Sequence, residues 1–155
     1  MSDIVVIPVL HNVVSAQKVV EAAKIVYGLG FKTFIISKAS GSAAQSGVPE
    51  AQKIALKLGL NLVFLSDLED VIDVVNPDIV LTVMPKKYGG EALTKVWEST
   101  VGGAKRVLVI FGGSEPGLSM REMKMGKLVY PDDIEEDIGA IGLVAISLYL
   151  IKRFI

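Results

Sequence analysis

The chain has 155 residues, 51% of them hydrophobic and 21% charged, with a net charge of −1, one histidine and no cysteine. A chain this long suits one domain burying about two-thirds of its unfolded surface. The absence of cysteine excludes disulfides, thiolate zinc sites and a cysteine nucleophile, and a single histidine, His11, excludes a histidine-rich metal site.

In chain order, residues 4–10 read as an apolar strand. Residues 14–29 carry apolar side chains at helical spacing, with Ser15 or Asn12 as cap. Residues 32–37 read as a strand, 38–47 as a polar loop, 49–58 as a helix with Pro49 in its first turn, and 61–65 as a strand. A short helix over 67–75 follows, capped by Ser66 or Asp67, then a strand over 78–83 ending in Met84-Pro85. The pattern continues with a helix over 90–100, a strand over 106–111, a helical turn over 118–125, a short strand over 127–130 and a final helix over 133–154. Six strands alternating with helices predict an α/β domain spanning 1–155, with a mostly parallel sheet and helices on both faces.

The N-terminal MSDIVVIPVL lacks the basic start and extended apolar core of a secretory signal, so a cytoplasmic protein is expected. The apolar run 138–151 would span about 21 Å as a helix, short of a bilayer core of about 30 Å. It predicts a helix buried in a core or homodimer interface, not a membrane span. With net charge so near zero, any nucleic-acid contact must come from a local patch.

The most informative stretch is Val107–Ser119. Four apolar residues, Val107 to Ile110, read as a strand buried on both faces. They run into Phe111, Gly112, Gly113, Ser114, Glu115, Pro116, Gly117, Leu118 and Ser119. A loop leaving the C-terminal end of such a strand is where α/β proteins bind ligands, and its glycines let backbone come close to one. The order Phe-Gly, Glu, Gly-Leu-Ser resembles the second motif of the SpoU branch of the SPOUT RNA methyltransferases. The resemblance implies an α/β trefoil knot that binds S-adenosylmethionine, an active site built across a homodimer, and tRNA or rRNA as substrate for ribose 2′-O or base methylation.

Residues 12–31 are similar to that family's first motif, with Asn12 early and Lys24 at the position of its catalytic Arg. Lys keeps the charge and loses the planar fork. The strand end Thr82–Pro85 matches the start of the knot, and Lys86 and Lys87 follow as candidate RNA contacts. The implied cofactor pocket is Val83, Met84, Phe111, Gly112, Gly113, Glu115, Gly117, Tyr130 and Ile138. Two departures stand out. Gly113-Ser114 precedes Glu115 where many members have one residue, and Gly139 and Ile141 occupy positions the family fills with Asn and Ser.

The acidic run Asp132, Asp133, Glu135, Glu136 and Asp137 reads first as capping of the last helix. Its other reading is a carboxylate facing the cofactor. Two alternatives to a methyltransferase stay open. The lost Asn and Ser allow a non-catalytic protein that keeps the pocket and binds cofactor or RNA. Glu122-Met123-Lys124 fits the Glu-x-Lys signature of Mg²⁺-dependent nucleases, although it falls on a predicted helical turn. Gly28-x-Gly30 ends a helix and so is no dinucleotide fingerprint, and the lone histidine offers no convincing hydrolase triad.

Overall fold

The computed structural model describes residues 4–155. Residues 1–3, the start of the N-terminal segment weighed above, lie outside them. The elements run β1 (Val5–Val13), α1 (Ala16–Gly28), β2 (Thr33–Ala39), α2 (Val48–Leu58), β3 (Asn61–Leu65), α3 (Leu68–Val75) and β4 (Ile79–Val83). They continue with β5 (Glu91–Ala92), α4 (Leu93–Thr100), β6 (Arg106–Gly112), α5 (Met120–Met123), β7 (Lys127–Tyr130) and α6 (Gly139–Lys152). All seven strands join one parallel sheet in the order β3-β2-β1-β6-β4-β7-β5.

Alternation along the central strands sorts the core into two layers. Val6, Leu10, Phe34, Ile36, Val107, Val109 and Phe111 face α1, α2, α4 and α6. Ile7, Val9, Ile35, Leu108 and Ile110 face α3, whose Leu68, Val71 and Val75 close that side, and Met123 of α5 packs beside them. Truncating a fully buried ring such as Phe34 or Phe111 in such a core costs about 3–5 kcal/mol. Ser15 caps α1 by accepting the Lys18 amide, and Asp67 with Asp70 forms a capping box on α3.

The α/β class and parallel sheet stand as expected. Three local expectations do not. The helix predicted from residue 90 starts at Leu93, because Glu91 and Ala92 pair with β7 as a seventh strand. Gly89 and Gly90 before them hold φ of +94° and +90°, backbone that glycine accepts readily. Residues 43–47, predicted as loop, form a π-helical turn leading into α2. The last helix begins at Gly139 and not at 133, since Asp133 sits at φ +66° and the acidic run is a connecting segment.

Two strands enter between strands laid down earlier: β6 between β1 and β4, and β7 between β4 and β5. Residues 84–90 therefore cross β7 from one side to the other, close enough that a Cβ on Gly90 would lie 2.6 Å from the Leu128 carbonyl oxygen.

Candidate functional site

Strand order turns back at β1, with β2 on one side and β6 on the other, and in open parallel sheets ligands settle beyond the carboxyl ends of strands near such a point. A narrow cleft lies one strand over, beyond the carboxyl ends of β6 and its other neighbour β4. Val83, Met84 and Pro85 line it after β4, and Gly112, Ser114, Glu115, Pro116 and Gly117 after β6. Asp137, Gly139, Ala140 and Leu143 complete it from the start of α6. Its cavity volume is only about 10 Å³, room for little more than one water and far below the range of about 300–1,000 Å³ for small-molecule sites.

The loop after β6 is held from several sides. The Gly113 amide donates to the His11 carbonyl at 2.7 Å, and Ser114 Oγ donates to the Asn12 carbonyl at 2.8 Å. The Leu118 amide donates to Met84 Sδ at 3.3 Å, and Lys18 Nζ donates to the Gly113 carbonyl at 3.3 Å. Gly112 is needed because the loop folds back on its own root: a Cβ there would stand 2.5 Å from the Gly117 carbonyl carbon. The close approach expected at Gly112 is thus made by the loop's own backbone.

Beneath the loop, on the α3 and α5 side, lies a buried polar cluster. His11 and Ser37 are register partners on β1 and β2 and are both fully buried. His11 Nε2 lies 2.8 Å from Glu122 Oε2, and Nδ1 lies 2.8 Å from Ser37 Oγ. A carboxylate only accepts, so Nε2 carries a proton that it donates to Glu122, while Nδ1 is paired with the Ser37 hydroxyl. The other Glu122 oxygen accepts the Ser119 amide at 2.8 Å, and Ser119 Oγ accepts the Glu122 amide, a capping box on α5. Burial pushes the Glu122 carboxyl up, but the Ser119 amide and the His11 ring outweigh it and hold it below the ordinary carboxylate value.

The lone histidine was expected to complete no triad, yet Ser37, His11 and Glu122 have the connectivity of one. With Ser37 and His11 at 0% exposure, the hydroxyl faces packed protein, so the cluster cross-links β1, β2 and α5. His11 holds both ends of the loop after β6, one through its carbonyl and the other through its ring. The sequence signal was present: positions 7, 9 and 11 share one strand face, and a histidine on a buried face must find partners.

Of the pocket residues expected from the resemblance, Val83, Met84, Gly112, Glu115 and Gly117 line the cleft. Phe111 lies in the core, Gly113 packs against Val13, and Ile138 is exposed beside Gly142. Tyr130 is half-buried with the Lys86 ammonium 5.7 Å from its ring centroid. Asn12, at φ +60°, serves the loop through its carbonyl. Lys24 is exposed in a groove between α1 and α2 with Gln17, Glu21 and Glu50, and does not line the cleft. Lys18, which the sequence reading passed over, stands at the loop.

The acidic run divides its work. Asp132 accepts the Thr94 amide at 3.0 Å and the Thr94 hydroxyl at 2.6 Å, Glu135 pairs with Lys86 at 3.3 Å, and Asp137 accepts the Gly139 amide at 2.8 Å. Only Asp137 serves the last helix in the expected way, and it also lines the cleft.

With this geometry established, relatives give the chain its place. Residues 41–150 match a family described as RecB-family nuclease (DUF2122). A protein of Aeropyrum pernix provisionally named as type II restriction enzyme ApeKORF2002P is 44% identical, over 96% of this chain and 93% of its own length. Another from Methanocaldococcus jannaschii, provisionally named MjaORF1200P in the same class, is 39% identical over 93% and 94%. The chain belongs to this DUF2122 family.

Solved structures of similar fold carry other names. The SpoU methyltransferase AviRb from Streptomyces viridochromogenes superposes with a TM-score of 0.74 at 15% identity, over 99% of this chain and 60% of that one. An AdoMet-bound rRNA methyltransferase from Sinorhizobium meliloti gives 0.72 at 11% identity, over 97% and 56%. These likenesses establish a SPOUT-type fold for this DUF2122 member, as the sequence motifs implied.

The family description directs attention to Glu122 and Lys124. Both oxygens of Glu122 are engaged as described, and Lys124 is exposed. Among the described residues no three His, Cys, Asp or Glu side chains gather as metal ligands. As arranged here, the donors do not fit a nuclease metal centre.

Proposed function

We propose that the chain binds S-adenosylmethionine in the cleft between β4, β6 and α6 and acts in methyl transfer to RNA, at a ribose hydroxyl or a base. The observation that carries this reading is the convergence of three loops, after β4, after β6 and before α6, around one glycine-lined cleft in a SPOUT-type fold. The residues present suit the cofactor: its sulfonium and ammonium charges match the carboxylates of Glu115 and Asp137, and the backbone of 84–85 and 112–117 offers polar groups. Bound there, the cofactor supplies an electrophilic methyl group.

At about 10 Å³ the cleft is nearly closed, so the connection 131–138 must open to admit a ligand of this size. The crossing of 84–90 over β7 is the feature on which the trefoil knot rests in this reading. A fixed cation beside the cleft would favour an alkoxide forming on ribose. Lys18, bonded to the Gly113 carbonyl, is the candidate in the same chain, whereas Lys24 would act only from a second copy.

The nuclease reading is favoured by the family's description and by the names of both relatives. It requires Glu122 to leave His11 or the Ser119 amide before binding Mg²⁺. Calorimetric titration with S-adenosylmethionine and S-adenosylhomocysteine decides between the two, and saturable binding of either is expected. No binding of either, with Mg²⁺-dependent DNA cleavage that disappears in Glu122→Gln, would replace this proposal by the nuclease. Binding without transfer of label to total tRNA or rRNA would leave a non-catalytic cofactor-binding protein.

A further inference from the structure

On the α5 side of the sheet, a second and larger hollow lies between the 84–90 crossing and α5. It has a volume of about 700 Å³ and is lined by Lys87 and Tyr88 of the crossing, Met120, Met123 and Lys124, and Leu128 of β7. It adjoins the cleft through one short segment, since Met84 and Pro85 line the cleft while Lys87 and Tyr88 line this groove.

Charge around the groove is arranged unevenly. Three neighbouring cations are matched: Lys86 with Glu135, Arg121 with Glu69, and Lys127 with Glu91. Among the described residues, Lys87 and Lys124 have no carboxylate within ion-pair distance, and no acidic side chain lines the groove. The Lys87 ammonium lies 5.4 Å from the Tyr88 ring centroid. Two unmatched cations therefore stand over a floor of thioether, aromatic and aliphatic groups, with Met120 left 71% exposed.

We propose that this groove binds an unpaired nucleotide segment of a single-stranded nucleic acid, its base against Met120, Met123 and Tyr88 and its phosphates on Lys87 and Lys124. A base has flat apolar faces that thioethers and rings accept, and its phosphodiester supplies the charge that both lysines lack. A purely apolar partner would leave the two ammonium groups uncompensated, and an acidic peptide would leave the flat floor unfilled. The inference rests on the reading of the chain as a nucleic-acid-modifying protein, and it locates where the strand beside the reacting nucleotide lies. It does not depend on which chemistry the cleft performs.

Fluorescence anisotropy with labelled ten-nucleotide RNA and DNA single strands, and with a duplex of the same sequence, tests it on the full chain. Single strands should bind more tightly than duplex, and the tighter of RNA and DNA identifies the sugar. Lys87→Gln/Lys124→Gln should weaken binding roughly tenfold and lower the salt slope by about 1.4, the value for two phosphate contacts on a single strand. Met120→Glu, at a side chain that is already exposed, should weaken binding while leaving the melting temperature unchanged. Preference for duplex, no binding by the wild type, or equal affinity and slope in the double variant would each overturn the proposal. Cofactor titration of the same variants keeps the two readings apart. Lysine-dependent strand binding without S-adenosylmethionine binding sinks the methyl-donor reading and leaves the groove standing.

Discussion

Both carboxylate oxygens of Glu122 are engaged inside the protein, one by His11 and one by the Ser119 amide, and the carboxyl is held below its ordinary value. A depressed carboxyl contributes stability that is present above the unfolded-state value, near 4.5, and is lost as pH falls through the folded-state value. Glu122→Gln should therefore lower stability at pH 7 by about 2 kcal/mol, or about 6 °C in melting temperature. Thermal unfolding at pH 7 and at pH 3.5 should show that gap narrowing in acid. A gap independent of pH would assign the loss to shape alone. At Gly112 the prediction is steric. Gly112→Ala drives a Cβ into the Gly117 backbone, so it should cost about 1–3 kcal/mol and displace the loop lining the cleft. Loss of cofactor binding in that variant would follow from the loop and not from a blocked ligand. Lys18→Ala, read with labelled S-adenosylmethionine on total RNA, should lower transfer by about a hundredfold if its charge is the one that serves the reaction. Full activity in Lys18→Ala with a dead Lys24→Ala would move that role to a partner subunit.

Helix α4 begins without a capping side chain of its own, and Asp132 supplies one from nearly forty residues further along the chain. That bond ties the connection after β7 to the edge of the sheet that β5 forms, next to the segment that must open at the cleft. Asp132→Ala should cost about 1 kcal/mol, seen as a melting temperature about 3 °C lower. The same substitution should loosen 131–138, so hydrogen exchange there should quicken while the amides of β1 and β6 stay protected. Unchanged exchange would show that the connection is held by its other contacts, such as Glu135 with Lys86.

Helix α6 buries Leu143, Val144, Ser147, Leu148 and Ile151 against the sheet, yet leaves Ile146 38% and Tyr149 53% exposed on its other side, and Ile138 just before it is 42% exposed. Ile146 and Tyr149 are three positions apart on one face of the helix, and with Ile138 they leave apolar surface uncovered. A second copy is the expected cover, because obligate dimer interfaces resemble a core cut in half. Light scattering should give twice the chain mass at micromolar concentration, and Ile146→Glu/Tyr149→Glu should give a monomer with an intact fold. No helix among the described residues is long and apolar enough to cross a membrane.

Alternation in β1, β2 and β6 and the apolar spacing of α1 and α6 were legible in the sequence because burial on a strand or helix face is a local property, written every two or every three to four residues. The motif Phe111–Ser119 likewise announced a loop at a strand end, and five of the nine expected pocket residues line the cleft there. Other features depend on which strands become neighbours. β6 entering between β1 and β4, and β7 between β4 and β5, put residues far apart in sequence side by side. Glu122 meets His11 across 111 positions, and Asp132 meets Thr94 across 38. Residue spacing carries no trace of such pairings. The acidic run had the composition of a helix start, and Glu122-x-Lys124 had that of a metal site. In each case the composition stated what the side chains can do, and the packing of the sheet chose their partners.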